Sequence, residues 1–308
     1  MRLRSLACAA AIGLALIPQL AQACACGCGV FDVGAGSQLT PGKSLVVSLE
    51  YDLLDQNQNW SGEGHAPRAN NSDKRILTHY AKLDAEYLIN RDWSVRVDIP
   101  IADRHFNTLN DDGVTLDRFH DTSLADIRLT STYTGFSENL TSGLTFGLKL
   151  PTGDFRAHGF DRDTEIGSGS TDLLIGGYHR GPLTKDAAWS YFLQGVAQIP
   201  VALQGGYRPG HEFNGVAGVY YDNLIFQGGA FRISPLLQLI ASVRAPDAGL
   251  LADRPDSGYE RLMLSPGIQF THGDWRAHAD VEFVVYQRVN GNQLVAPILT
   301  KVSFSRNF

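Results

Sequence analysis

The feature that most constrains this chain is an alternation of oily and ionised side chains that recurs along most of its length. The clearest case runs from 275 to 286. There Trp275, Ala277, Ala279, Val281, Phe283 and Val285 share one parity, and Arg276, His278, Asp280 and Glu282 share the other. A period of two is the signature of a β-strand with unlike faces. Similar runs occupy about 45–54, 76–89, 93–99, 124–133, 140–150, 170–179, 188–199, 213–221, 231–244, 259–271 and 294–308. In the last run Leu294, Ala296, Ile298, Val302, Phe304 and Phe308 are assigned to the apolar face, with Arg306 a departure from it. Strands of about ten residues suit a tilted crossing of a bilayer, and hydrocarbon forbids an open sheet edge, so such a sheet must close.

The connections alternate as well. Short ones are predicted at 90–92, 135–139, 181–187 and 272–274, and long polar ones at about 55–75, 102–123, 151–169, 200–212, 245–258 and 287–293. Aromatics such as Tyr87, Trp93, Tyr133, Phe136, Trp189 and Trp275 gather beside the short turns, as an interfacial girdle would. The predicted fold class is all-β: a transmembrane antiparallel up-and-down β-barrel of about twelve strands, with short periplasmic turns and long extracellular loops. The eighth-to-ninth connection, through Asp222-Asn223, is the weakest point of the count. A soluble β-sandwich alternates too, but it implies shorter connections and an apolar interior.

The front of the chain agrees. Arg2 and Arg4, the apolar run Leu6 to Ile17 and the small residues Ala21-Gln22-Ala23 read as a signal peptide over 1–23. A cysteine-bearing periplasmic segment follows over 24–43, a plug or partner-binding tail, with the barrel over 44–308. The expected location is the outer membrane, and its lipid is the first partner. A net charge of −6 argues against a nucleic-acid partner.

Gly147-Leu148-Lys149-Leu150-Pro151-Thr152-Gly153-Asp154 and Gly167-Ser168-Gly169-Ser170-Thr171-Asp172 carry a family likeness. This KLPTGD-like element paired with a glycine–serine run resembles the outer-membrane family named for the MetA pathway of phenol degradation. The resemblance implies a barrel over about 44–308 that passes small aromatic or hydrophobic compounds. Pro151 has no N–H for a ladder, so it stops the strand, and Gly153-Asp154 turns the chain.

The candidate pore-lining residues are the charged groups of the inward parity: Glu50, Asp52, Lys82, Asp84, Glu86, Arg96, Asp98, Asp126, Arg128, Lys149, Asp172, Arg276, His278, Asp280, Glu282 and Lys301. Either they brace the wall as pairs, or they line a mixed-charge passage. Cys24, Cys26 and Cys28 admit three readings: a disulfide, including one to a periplasmic protein partner, chelation of a soft metal ion, or lipidation of Cys24. No other cofactor is expected. Asp161, Asp163 and Glu165 form a D-x-D-x-E run, though Gly167 falls one place late for a calcium loop. His65, His105, His120, His158 and His211 are scattered over the long loops, and a transition-metal site among them requires the fold to gather some. His79 on the outward face has no neighbouring serine in a base–nucleophile pattern, so an enzyme is not expected. The expected function is passive passage of a small solute. The alternative is a non-conducting structural or partner-binding barrel engaged through the cysteine segment.

Overall fold

The computed structural model describes residues 43–137, 139–226 and 231–308. The signal peptide over 1–23 and the cysteine segment, with Cys24, Cys26 and Cys28, lie outside the described residues.

Twelve strands form the wall: β1 (Leu45–Gln56), β2 (Asp73–Leu88), β3 (Trp93–Leu109), β4 in two pieces (Leu116–Leu124 and Arg128–Tyr133), β5 (Ser142–Lys149), β6 (Thr171–Pro182), β7 (Trp189–Ala202), β8 (Glu212–Tyr221), β9 (Phe231–Arg244), β10 (Tyr259–His272), β11 (Trp275–Val295) and β12 (Ile298–Asn307). Each pairs antiparallel with the next. Closure comes from β1 against β12, in register from Val46 opposite Asn307 to Leu54 opposite Leu299. Among the described residues, no helix is long and apolar enough to cross a membrane. By the asymmetry of outer-membrane barrels, the rim with the two-residue turn 273–274 and the turn 89–92 is periplasmic.

The burial pattern is inside out relative to a soluble sandwich. Leu49, Leu83, Leu129, Phe146, Leu237 and Val302 are exposed, while Glu50, Asp52, Lys82, Asp84 and Asp98 are buried. Only lipid outside and a polar interior reconcile the two. Neighbours in sequence therefore carry opposite requirements: Lys301 is buried and Val302 is exposed. Val302→Lys is expected to cost about 2 kcal/mol or more in the bilayer, read from urea unfolding of the barrel in lipid vesicles. A cost near zero there would place Val302 outside the hydrocarbon.

Arg306, out of place by composition, keeps the outward parity. Its guanidinium lies 4.7 Å from the Trp275 ring and 4.6 Å from the Phe308 ring, so it joins the aromatic girdle through cation–π contact.

Three predicted boundaries are corrected. The last strand begins at Ile298, and Leu294 and Ala296 are buried at the far end of β11 and its turn instead of facing lipid. Pro297 ends the run that alternation alone extends. The predicted loops 102–123 and 287–293 are mostly strand, and the connection over 55–75 is partly so. Here β3 and the first piece of β4 continue as a ladder from Ile101 opposite Leu124 to Leu109 opposite Leu116. Beyond a register shift between Val289 and Asn292, β11 pairs with a short strand, Gln58–Gly62, that prolongs β1. The cause is packing above the membrane: Ile76, Phe106 and Leu294 bury together, with Phe119 and Phe160 against them. Finally, β4 is broken over 125–127, where the alternation reads as continuous.

Candidate functional site

The barrel interior gathers the charges. Cross-strand register places them opposite one another: Glu50 faces Lys82, Asp52 faces Lys301, Asp280 faces Lys301, Glu86 faces Arg96, Asp98 faces Arg128, and Lys149 faces Asp172. Opposed unlike charges stabilise a ladder, and in a buried lumen they also neutralise each other.

Distances follow this register. Lys82 Nζ lies 2.9 Å from Glu50 Oε1, and Lys301 Nζ lies 3.6 Å from the same oxygen and 3.7 Å from Asp52 Oδ1. Arg96 bridges Asp84 at 3.3 Å and Asp98 at 2.7 Å. Ser94 donates to Glu86 at 2.8 Å. His278 Nε2 sits 2.8 Å from Asp280 Oδ1, while Ser265 donates to Asp280 Oδ2 at 2.6 Å. Glu282 is buried beside this group. Half-buried Arg276 stands apart, nearer Arg180, Tyr220 and Asp222. Half-buried Arg128 reaches Gln198 Oε1 at 3.4 Å, and Gln198 donates to Asp172 at 2.7 Å.

A second feature is a loop folded into the lumen. Pro151 ends β5, and the chain over 151–170 enters the barrel before β6 begins. Buried Asp126, at the break in β4, accepts the Gly153 N–H at 3.1 Å and the Ser168 N–H at 3.0 Å, with the Ser168 hydroxyl as a third donor. Lys149 ties Asp126 to Asp172 at 3.3 and 2.8 Å. Thr152 repairs the break: its hydroxyl donates to Ala125 O at 3.0 Å and accepts the Ile127 N–H at 2.8 Å. The two loop stems touch backbone to backbone. A Cβ on Gly167 would stand 2.3 Å from the Gly153 carbonyl carbon, and one on Gly153 would stand 2.6 Å from the Gly167 Cα. Both glycines are therefore required by close approach. The KLPTGD-like and glycine–serine elements thus pin a loop.

Arg104 on β3 holds the loop's far side, donating to the carbonyls of Thr164 at 2.6 Å and Glu165 at 2.9 Å. Loops 203–211 and 245–258 cover the mouth through the pairing of Tyr207–Arg208 with Ala248–Gly249. Buried Asp247 accepts from Tyr207 at 2.6 Å, from Arg244 at 2.7 Å and from the Gly210 N–H at 2.7 Å. Arg162 lies 4.6 Å from the Tyr207 ring centroid and so links the inner loop to this lid. Beneath them a cavity of about 130 Å³ is bordered by Tyr80, Arg104, Lys149, Arg162, Glu165 and Tyr207, among others. A second, of about 80 Å³, lies by Arg96, Thr130, Thr145 and Gln194.

Burial pushes the Glu165 carboxyl up to about 7, against the opposing Ala157 N–H at 2.9 Å. A carboxyl raised in the docked loop favours docking fully below about pH 4.5 and loses that contribution as pH rises through 7. Conductance is expected to increase from pH 5 to pH 8, and Glu165→Gln should flatten the response. The same pH curve in wild type and variant would assign the effect to another group.

The interior also holds what the charge parity does not foretell. Phe192, Val216, Leu236, Ile240 and Met263 of β7–β10 are buried and apolar, most of them in one cluster with Leu54 and Leu299. The apolar cluster sits among polar neighbours of the same strands, such as Gln238, Ser242 and Arg261, and extends to Leu54 of β1 and Leu299 of β12. Among loop residues, Arg162, Asp247 and Tyr207 carry no sequence signal, because loop contacts depend on the fold. Asp161, Asp163 and Glu165 do not gather as metal ligands: the one group of three within 4.8 Å among the described residues is Asp103, His105 and His120. On the outer wall, His79 Nδ1 lies 2.7 Å from the Tyr51 hydroxyl.

A closed antiparallel wall with lipid-facing apolar rows and an ionised interior defines an outer-membrane β-barrel protein. The COG4313 outer membrane channel from Pseudomonas putida F1 has the same fold, with a TM-score of 0.65 at 12% identity over 89% of this chain and 99% of that one. The β domain of the Bordetella autotransporter BrkA aligns with a TM-score of 0.52 at 9% identity over 86% of this chain and 100% of that one. No family model and no curated protein matches the chain. At such identities the likeness speaks for the fold alone.

Proposed function

We propose that this protein is a passive outer-membrane channel for a small amphipathic solute, with aromatic acids and phenols the preferred class. The observation that carries the reading is an apolar cluster set among charges inside the barrel. Phe192, Val216, Ile240 and Met263 pack together there, and the ion pairs of Lys82 and Lys301 with Glu50 share the same interior. A ring needs an apolar face, and a carboxylate or hydroxyl needs fixed donors such as Arg104, Lys149 and Arg162, which border the upper cavity. The pore-lining role of Glu50, Lys82, Asp84, Glu86, Arg96, Asp98, Asp126, Arg128, Lys149, Asp172, Arg276, His278, Asp280 and Glu282 belongs to this proposal. Likeness to an outer-membrane channel supports it, as does the resemblance of the KLPTGD-like element.

Liposomes loaded with purified barrel test the proposal. Uptake of benzoate should exceed that of a sugar of similar size, and no uptake of either, with no bilayer conductance, would overturn it. One observation favours a second reading, a non-conducting barrel engaged by a periplasmic partner: the cavity beneath the folded loops is small, about 130 Å³. Silence in bilayers even after loop 151–170 is released would support that reading.

A further inference from the structure

His105 and His120 stand directly opposite each other in the β3–β4 ladder. Their rings stack with centroids 4.3 Å apart and planes 11° apart. Both turn to one carboxylate: His105 Nε2 is 3.2 Å from Asp103 Oδ1, and His120 Nε2 is 3.2 Å from Asp103 Oδ2. One ligand atom from each residue falls within 4.8 Å of the others. Oδ2 also accepts the Thr122 hydroxyl at 3.0 Å, whereas Oδ1 is shielded from solvent and accepts no hydrogen bond.

The group belongs to neither the lumen nor the lipid band. Along the outward row of β3, Val95, Val97, Ile99 and Ile101 give way to Asp103, His105 and Asn107. The site therefore sits on the outer wall just above the hydrocarbon. About half of each histidine side chain is open to the medium.

We propose that Asp103, His105 and His120 form a surface site for a divalent transition-metal ion of the zinc, nickel or copper class. Two imidazole nitrogens and one carboxylate oxygen suit such ions, whereas calcium and magnesium favour all-oxygen sets. The ladder fixes the three Cα positions, so side-chain rotations alone can bring the nitrogens to metal–ligand range, about 2.0–2.1 Å for zinc. A fourth position is left to water. The ion would staple an arm, Leu116–Leu124, whose one strand partner among the described residues is β3. The proposal does not depend on what crosses the lumen.

The test uses the folded full-length mature protein in detergent, with any affinity tag removed and Cys24→Ser, Cys26→Ser and Cys28→Ser introduced, so that thiols cannot contribute. Zinc chloride titrated by calorimetry should show one ion per barrel. His105→Ala and His120→Ala should each weaken binding at least about tenfold. No saturable binding, or equal binding in the double histidine variant, would overturn the proposal. A second measurement needs no substitution in the strands: diethyl pyrocarbonate modification mapped by mass spectrometry. Zinc should protect His105 and His120 and leave exposed His65 reactive. Unchanged modification of the pair would count against the site as firmly as a flat titration.

Discussion

Asp126→Ala is expected to raise single-channel conductance at least about threefold, because one carboxylate anchors both stems of the loop that fills the lumen. The Asp126 side chain accepts N–H groups from Gly153 and Ser168 and the Ser168 hydroxyl. Without it the Ser168 stem loses these bonds to β4, and the Gly153 stem is held there by Thr152 alone among side-chain bonds. Lys149 retains Asp172 at 2.8 Å, so the wall itself keeps its nearest charge pair. A second route to the same outcome is Gly167→Val, whose Cβ would stand 2.3 Å from the Gly153 carbonyl carbon and must wedge the stems apart. Planar-bilayer recordings on both variants decide the matter, after heat-modifiable gel mobility has established folding. Wild-type conductance in both would move the barrier from the loop to the paired charges deeper in the barrel.

The larger stability effect is expected from Lys301→Met, a loss of about 3–5 kcal/mol. Lys301 lies between Glu50 and Asp52, opposite Asp280, with Glu282 close by. Lys82 already serves Glu50 at 2.9 Å, so removing the second ammonium leaves acids buried with too little positive charge. Lys301→Arg keeps the charge and should recover most of the loss. Urea unfolding followed by tryptophan fluorescence in vesicles gives the comparison. A loss below about 1 kcal/mol would mean that water, not neighbouring side chains, neutralises these acids.

Much of the wall is legible in the sequence, because a membrane barrel forces each strand to declare which face meets lipid. Strands β1 to β5 and β11 alternate clearly, and Glu50, Lys82, Asp84, Arg96 and Lys149 fall on the parity the structure turns inward. Strands β7 to β9 read less clearly for a physical reason. Phe192, Val216, Leu236 and Ile240 point inward while Leu193, Phe213, Leu237 and Leu239 point outward, so both faces carry apolar groups and the alternation fades. That fading is the trace of the apolar cluster inside the barrel. Register, not parity, brings His105 to His120, and register depends on pairing across a hairpin. Loop 151–170 was visible as a length and a glycine pattern, but its fold into the barrel rests on Asp126, whose role appears only once β4 is broken.

The contact between Gly153 and Gly167 has an evolutionary implication. A loop fastened at its two feet can vary in its middle wherever the middle does not itself touch the wall, as Phe160 and the carbonyls of Thr164 and Glu165 do. If the barrel conducts as proposed, changes there retune which compounds enter while the transmembrane scaffold stays intact, and selectivity drifts faster than architecture.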